Sequence, residues 1–146
     1  METVTKIADH FTQGTLSSHE QGMAQEIFRL LLNDAAVRVR EAMALNLKEC
    51  PGLPHDVAVA LANDVQSVAL PVLEFSEVLT DDDLVEIIKS QGEEKQIAIA
   101  GRKLVSENFS QALVETDNES VVTTLVSNDG AMLTEDSLAQ GVKSLG

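Results

Sequence analysis

The sequence predicts an all-α fold, and three observations lead to this prediction. Apolar residues recur at helical spacing along most of the 146 residues. Aromatic residues make up only 3%, with neither Trp nor Tyr, whereas the strands of β-sandwiches and barrels favour aromatic and β-branched residues. No strand-like alternation and no Asn-Gly hairpin signal occurs. Hydrophobic residues make up 44%, so a chain of this length can bury a core without disulfides.

The first predicted element is a short helix from about Val4 to Phe11, which ends near Gly14. The second is a longer helix that begins with a capping box. Ser18 is the predicted N-cap of the longer helix, and Gln21 reaches back to it from three residues further on. The apolar residues of this second helix share one face at the spacing i, i+4, i+7 and i+8. They are Met23, Ile27, Leu30 and Leu31.

The remaining elements alternate between longer and shorter helices. Thr80, Ser106 and Thr134 are the predicted N-caps of three of them. Pro71 falls within a helical pattern and is expected to kink it, because proline removes one backbone hydrogen bond. The apolar faces that define these helices are Val39–Leu47, Val57–Leu61, Val68–Leu79, Leu84–Ile88, Ile97–Val105, Phe109–Leu113, Val121–Val126 and Leu138–Val142.

The alternation of helices has a period of 25 to 29 residues. Val68-Ala69-Leu70 recurs 29 residues later as Ile97-Ala98-Ile99. The shorter helices align at spacings of 27 and 25 residues, as Val57–Leu61, Leu84–Ile88 and Phe109–Leu113. The pair Asn33-Asp34 also recurs, as Asn63-Asp64. Such a period is typical of a helical solenoid, in which each helix pair packs only against its neighbours. We therefore expect one domain over residues 1–146, with repeats at roughly 18–62, 63–89, 90–115 and 116–142. A plain helical bundle is the alternative.

Several segments also carry a resemblance to known families. The string from Val39 to Leu47, after Asp34, resembles the HEAT-repeat signature, in which an aspartate precedes a Val-Arg pair. The chain from roughly Ser18 to Ala139 is similar to the bacterial domain of unknown function 2336 family. The segments that carry this similarity are Val68–Leu73, Leu79–Leu84, Ile97–Arg102, Ser110–Val114 and Asn128–Ala131.

The resemblance implies a HEAT-like right-handed α-solenoid, a superhelix of helix pairs, and it supplies no catalytic residue. The repeats of this chain are shorter than the roughly 40–47 residues of ordinary HEAT units. Members of the family are often longer, so a fragment and a minimal version of the family both remain open.

Three residues are candidates for a structural or interaction role. Asp34 and Arg40 are six residues apart, and we expect them to form an ion pair that joins adjacent repeats. An anion-binding role for Arg40 on an inner face is the alternative. Arg102 follows the apolar face that begins at Ile97 and is expected to pack in a similar way.

No constellation in the sequence predicts catalysis, a cofactor or a metal. Asp81, Asp82 and Asp83 lack the alternating spacing, central glycine and distal glutamate of a calcium loop, and they suit the first turn of a helix. The three histidines are scattered without zinc-ligand spacing, and neither a glycine-rich phosphate loop nor a Gly-x-Ser-x-Gly elbow occurs. We therefore predict no catalytic residue, no cofactor and no metal.

The charge of the chain restricts the classes of partner. Ten basic and 24 acidic residues give a net charge of −14, which disfavours nucleic acid and anionic membranes. The main hypothesis is a protein-interaction scaffold or regulatory adaptor for a basic protein partner. A small HEAT-like enzyme of the lyase type and a self-association module, such as a homodimer, are the alternatives.

The expected location of the protein is cytoplasmic. Cys50 is the one cysteine, so no internal disulfide can form, and the sequence has neither a signal-peptide pattern nor an apolar run of membrane-spanning length.

Overall fold

The computed structural model describes residues 2–34 and 36–128, with side chains for residues 5–33 and 36–128. Every regular element in this part of the chain is an α-helix, which confirms the predicted all-α class. The helices are α1 (Glu2–Gln13), α2 (Ser18–Asp34), α3 (Val37–Leu47), α4 (His55–Ala62), α5 (Gln66–Phe75), α6 (Asp81–Ser90), α7 (Glu93–Ala100), α8 (Glu107–Val114) and α9 (Glu119–Val126).

The chain divides into two compact units, with the boundary between Leu79 and Thr80. We call residues 1–79 the N-terminal unit and residues 80–146 the C-terminal unit. The prediction of one solenoid domain with repeats at 18–62, 63–89, 90–115 and 116–142 stays a prediction. The predicted last helix, with its cap at Thr134, lies outside the described residues.

In the N-terminal unit, helices two positions apart in the sequence pack against each other. The helix α3 lies against both α1 and α5, and α2 lies against α4. The rings of Phe11 and Phe28 meet edge to face, with centroids 5.4 Å apart, and hold α1 to α2. The largest fully buried side chains of this unit are Phe28, Met43, Leu47, Leu61 and Leu73.

The C-terminal unit repeats this arrangement. The helix α6 packs on α8, and α7 packs on α9, while consecutive helices also touch. Its largest fully buried side chains are Leu84, Ile87, Ile99, Leu113 and Leu125. In both units, helix i packs on helix i+2.

Two helices end earlier than the apolar spacing predicts. The helix α5 continues through Pro71 but stops at Phe75 rather than Leu79. Ser76 there adopts an extended backbone, and its Oγ accepts a hydrogen bond from Val78 N, a local turn that competes with the helix. The helix α7 stops at Ala100, because Gly101 has a low helix propensity.

The capping box of α2 lies one residue before the predicted position. Ser17, rather than Ser18, accepts the hydrogen bond from Glu20 N, and Glu20 Oε1 accepts from Ser17 N at 3.0 Å. The predicted box at Ser18 and Gln21 was therefore wrong by one residue.

Within residues 2–34 and 36–128, no helix combines the length and the hydrophobicity of a membrane-spanning segment.

Candidate functional site

Arg40 forms an ion pair that joins α3 to the beginning of α5. Its Nε lies 2.6 Å from Asp64 Oδ2, and its Nη2 lies 3.0 Å from Asp64 Oδ1. The two side chains are only 17% and 13% exposed. The hydrogen bonds with Asp64 raise the pKa of the Arg40 guanidinium. Asp64 Oδ1 also accepts from Val65 N at 2.7 Å, so one carboxylate fixes both helices.

The sequence predicted that Arg40 pairs with Asp34, whereas the ion pair described in the structure is with Asp64. Asp34 is the last residue of α2, and its side chain lies outside the described residues, so that pair stays a prediction. Sequence reasoning missed Asp64 as a partner of Arg40. A signal was present, because Asn63-Asp64 repeats Asn33-Asp34 after the next shorter helix.

A second bidentate pair joins α2 to α4 on the surface of the same unit. Arg29 Nε lies 2.9 Å from Asp56 Oδ2, and Arg29 Nη2 lies 3.2 Å from Asp56 Oδ1. The hydrogen bond from Arg29 is the main reason that the pKa of Asp56 is lowered, and desolvation opposes this effect. Glu26 lies 3.7 Å from Arg29 Nη1. The sequence analysis did not single out Arg29 or Asp56.

Polar contacts join helices two positions apart in the C-terminal unit as well. Ser106 Oγ donates to Asp81 Oδ2 at 2.8 Å, which joins α6 to the start of α8. Ser106 does occupy the predicted N-cap position, but its side chain makes no capping hydrogen bond. Asn128 Nδ2, after α9, donates to Ala100 O at 2.8 Å and to Arg102 O at 2.7 Å.

These contacts span similar sequence separations. Arg40 and Asp64 are 24 residues apart, Arg29 and Asp56 are 27 apart, and Ser106 and Asp81 are 25 apart. The two contacts of Asn128 span 28 and 26 residues. The separations of 24 to 28 residues are close to the spacings of 25 to 29 residues in the sequence, because each contact joins the regions of two helices that are two positions apart in the chain.

Arg102 and the acidic run at Asp81–Asp83 are the other residues that the sequence analysis discussed. Arg102 lies in the turn after α7, where its backbone N donates to Ile99 O at 3.2 Å. Its predicted packing role stays a prediction. Asp83 accepts from Thr80 N at 2.8 Å, which completes the capping box of α6. No group of three His, Cys, Asp or Glu side chains is arranged to hold a metal ion in the described part of the chain.

The helix α2 presents apolar side chains to solvent. Met23 is 53% exposed and Leu30 is 61% exposed, although the sequence placed both on the apolar face of this helix. The residues of α2 that are buried are Ala24 and Phe28, which lie on the other side of the helix. We define the α2 surface as Met23, Ile27 and Leu30 together with the exposed carboxylates of Glu20 and Glu26.

Within each unit, these polar contacts join helices two positions apart, and every regular element of the described residues is an α-helix. Comparison with known families agrees with the resemblance of the sequence. The model of the domain of unknown function 2336 family, described as an uncharacterised protein conserved in bacteria, matches residues 68–146. The match spans more than half of the chain, so the chain belongs to this family. Neither a curated protein nor a solved structure matches the chain.

The extent of the match differs from the extent of the predicted resemblance. The prediction of the family is confirmed, but the match begins at residue 68, whereas the resemblance was expected from about Ser18. The helices α1 to α4 precede the matched part, and so do Asp34, Arg40 and the α2 surface. Arg102 lies within the matched part.

Proposed function

We propose that the protein is a HEAT-like helical-repeat module that binds a basic segment of another protein. The observation that carries the proposal is the recurrence of polar contacts, 24 to 28 residues apart, between helices two positions apart. Repeats of helix pairs stack in this way, and their exposed helix faces form extended binding surfaces.

The charge of the chain supports a basic partner. A net charge of −14 on 146 residues gives a field that attracts cationic segments and raises their association rate. The same field repels phosphate backbones, since nucleic-acid binding depends on cationic side chains that neutralise phosphates. A scaffold or adaptor role follows from this combination of a repeat surface and negative charge.

Fluorescence anisotropy with two matched peptides tests this function on the full chain. Both peptides are helices of about 18 residues, or five turns, with leucines at i, i+4 and i+7. The polar positions are lysines in one peptide and glutamates in the other. We expect the lysine peptide to bind and its affinity to fall as salt increases. Absence of binding, or equal binding of the two peptides, would contradict the proposed function.

A further inference from the structure

The α2 surface has the properties of a docking site for a helix. Met23, Ile27 and Leu30 follow one another at i, i+4 and i+7, which places them in a row about 10 Å long on one side of α2. Met23 and Leu30 remain 53% and 61% exposed. Single exposed apolar residues are ordinary, but a row at i, i+4 and i+7 is the pattern with which the apolar face of one helix packs on another helix.

The opposite side of α2 fixes this row in place. Ala24 and Phe28 are 3% and 0% exposed, and Phe28 packs edge to face on Phe11 of α1. The bidentate pair of Arg29 and Asp56 holds α2 to α4. The helix therefore needs no rearrangement to present its apolar row, and little ordering cost accompanies binding.

The charged residues beside the apolar row favour a positively charged partner. With 3.6 residues per turn, Glu20 lies one turn before Met23 on one side of the row, and Glu26 lies one turn before Leu30 on the other side. Both carboxylates are exposed. The guanidinium of Arg29, which lies near Glu26, bonds Asp56 in bidentate geometry, so its charge is matched by a second carboxylate.

We propose that the α2 surface docks a basic amphipathic helix of a partner protein, with apolar residues of that helix on Met23, Ile27 and Leu30 and its Lys or Arg residues beside Glu20 and Glu26. This inference rests on the proposed function and names the site within it. A second copy of the chain would bring the same carboxylates together, and an anionic bilayer would repel them, so both fit this surface less well.

The test uses the lysine peptide described above and the full chain in three forms. The double variant Met23→Gln/Leu30→Gln replaces the two exposed members of the apolar row, keeps the half-buried Ile27 and leaves the charge unchanged. Leu104→Gln is the matched control, because Leu104 is 70% exposed and lies in the C-terminal unit. We expect the double variant to bind about tenfold more weakly than the natural chain, as for central residues of an interface. The control should bind like the natural chain.

Charge variants test the second half of the inference. In Glu20→Gln/Glu26→Gln the apolar row is intact, and glutamine at position 20 can still accept the hydrogen bond from Ser17 N. We expect weaker binding of the lysine peptide and a smaller loss of affinity between about 0.05 M and 0.3 M salt. Circular dichroism and thermal unfolding of each variant check that the fold is retained.

Four outcomes would overturn the inference. If the lysine peptide binds the natural chain and the double variant equally, the proposed function stands and the site is elsewhere. If the peptide does not bind the natural chain, both fail. A dimer in light scattering that dissociates in the double variant would make a second copy the occupant. Sedimentation with phosphatidylcholine vesicles that is lost in the double variant would make a membrane the occupant.

Discussion

Arg40 forms a bidentate ion pair with Asp64 that holds α3 to the start of α5. The sequence predicted an ion pair with an aspartate that joins successive helices, and Asp34 was the nearest aspartate before it. The structure pairs Arg40 with Asp64, 24 residues further on. The sequence pattern could identify Arg40 as a residue that forms an ion pair. It could not identify Asp64 as the partner, because that contact depends on the packing of α3 on α5. That packing is set by tertiary structure and not by local sequence.

Replacement of Arg40 should destabilise the protein more than replacement of Arg29. Arg40→Ala removes two hydrogen bonds from an Asp64 carboxylate that is only 13% exposed, whereas Asp56 beside Arg29 is 61% exposed. We expect Arg40→Ala to lower the midpoint of thermal unfolding by several degrees and Arg29→Ala to change it little. Differential scanning calorimetry measures both midpoints. An equal effect of the two variants would contradict this account of Arg40.

Asp56 should titrate at lower pH than an ordinary aspartate because Arg29 donates hydrogen bonds to its carboxylate, which lowers its pKa. A lowered folded-state pKa gives a stabilisation that is present above the unfolded-state pKa and is lost as the pH falls through the folded-state pKa. We expect Arg29→Ala to raise the pKa of Asp56 toward its ordinary value, as followed by NMR titration. Glu20, whose pKa is lowered mainly by Ser17, is the internal control and should not change.

Replacement of Ser110 by alanine should stabilise the protein. Its side chain is fully buried in α8, and its Oγ is the buried side-chain polar atom that lacks a hydrogen-bond partner in the described part of the chain. Such an atom loses its bonds to water without compensation, so Ser110→Ala should raise the free energy of unfolding by about 1 kcal/mol.

Chemical denaturation measures the change at Ser110, and Ser120→Ala, at an exposed serine in α9, controls for the higher helix propensity of alanine. A loss of stability in Ser110→Ala would show that the hydroxyl makes a favourable interaction after all.

At the scale of the elements, caps and apolar faces were predictable to different degrees. Thr80 is the N-cap of α6 as predicted, because its hydroxyl and the carboxylate of Asp83 form a complete capping box. At α2 two serines are adjacent, and Glu20 selects Ser17. Local sequence signals cannot separate neighbouring candidates when each has a suitable acceptor three residues later.

The capping box of α6 allows a quantitative test. Thr80→Ala removes the acceptor for Asp83 N, so it should lower the free energy of unfolding by about 1 kcal/mol. Thr80→Ser keeps the hydroxyl and should cost much less. Urea denaturation of both variants measures the difference, and equal losses would mean that the methyl group of Thr80, and not the cap, stabilises the helix.

The apolar row of α2 shows what periodicity leaves undetermined. It correctly places Met23, Ile27 and Leu30 on one side of the helix, but α2 is also apolar on the side of Ala24 and Phe28. Which side packs depends on α1, α3 and α4, and the structure buries Phe28. The candidate docking surface is therefore the apolar side that the sequence assigned to the core.

At the scale of the whole molecule, the sequence predicted the all-α class and the family. The polar contacts between helices span 24 to 28 residues, close to the spacings of 25 to 29 residues found in the sequence, and the repeat architecture stays a prediction. The boundary between the two units, after Leu79, was not predicted. The boundary lies at Thr80, the N-cap of α6. The sequence around Thr80 resembles that at other helix starts, so local sequence patterns do not distinguish a boundary between units from an ordinary turn between helices.

The most direct test of the account is methyl NMR of the full chain during titration with the lysine peptide. The central claim is that a basic helix docks on the α2 surface, so the methyl signals of Met23, Ile27 and Leu30 should shift first and most strongly. The methyl signals of Leu104 and Val126, which are also exposed, should stay in place. Shifts confined to the C-terminal unit, or no shift in α2 at saturating peptide, would contradict the claim.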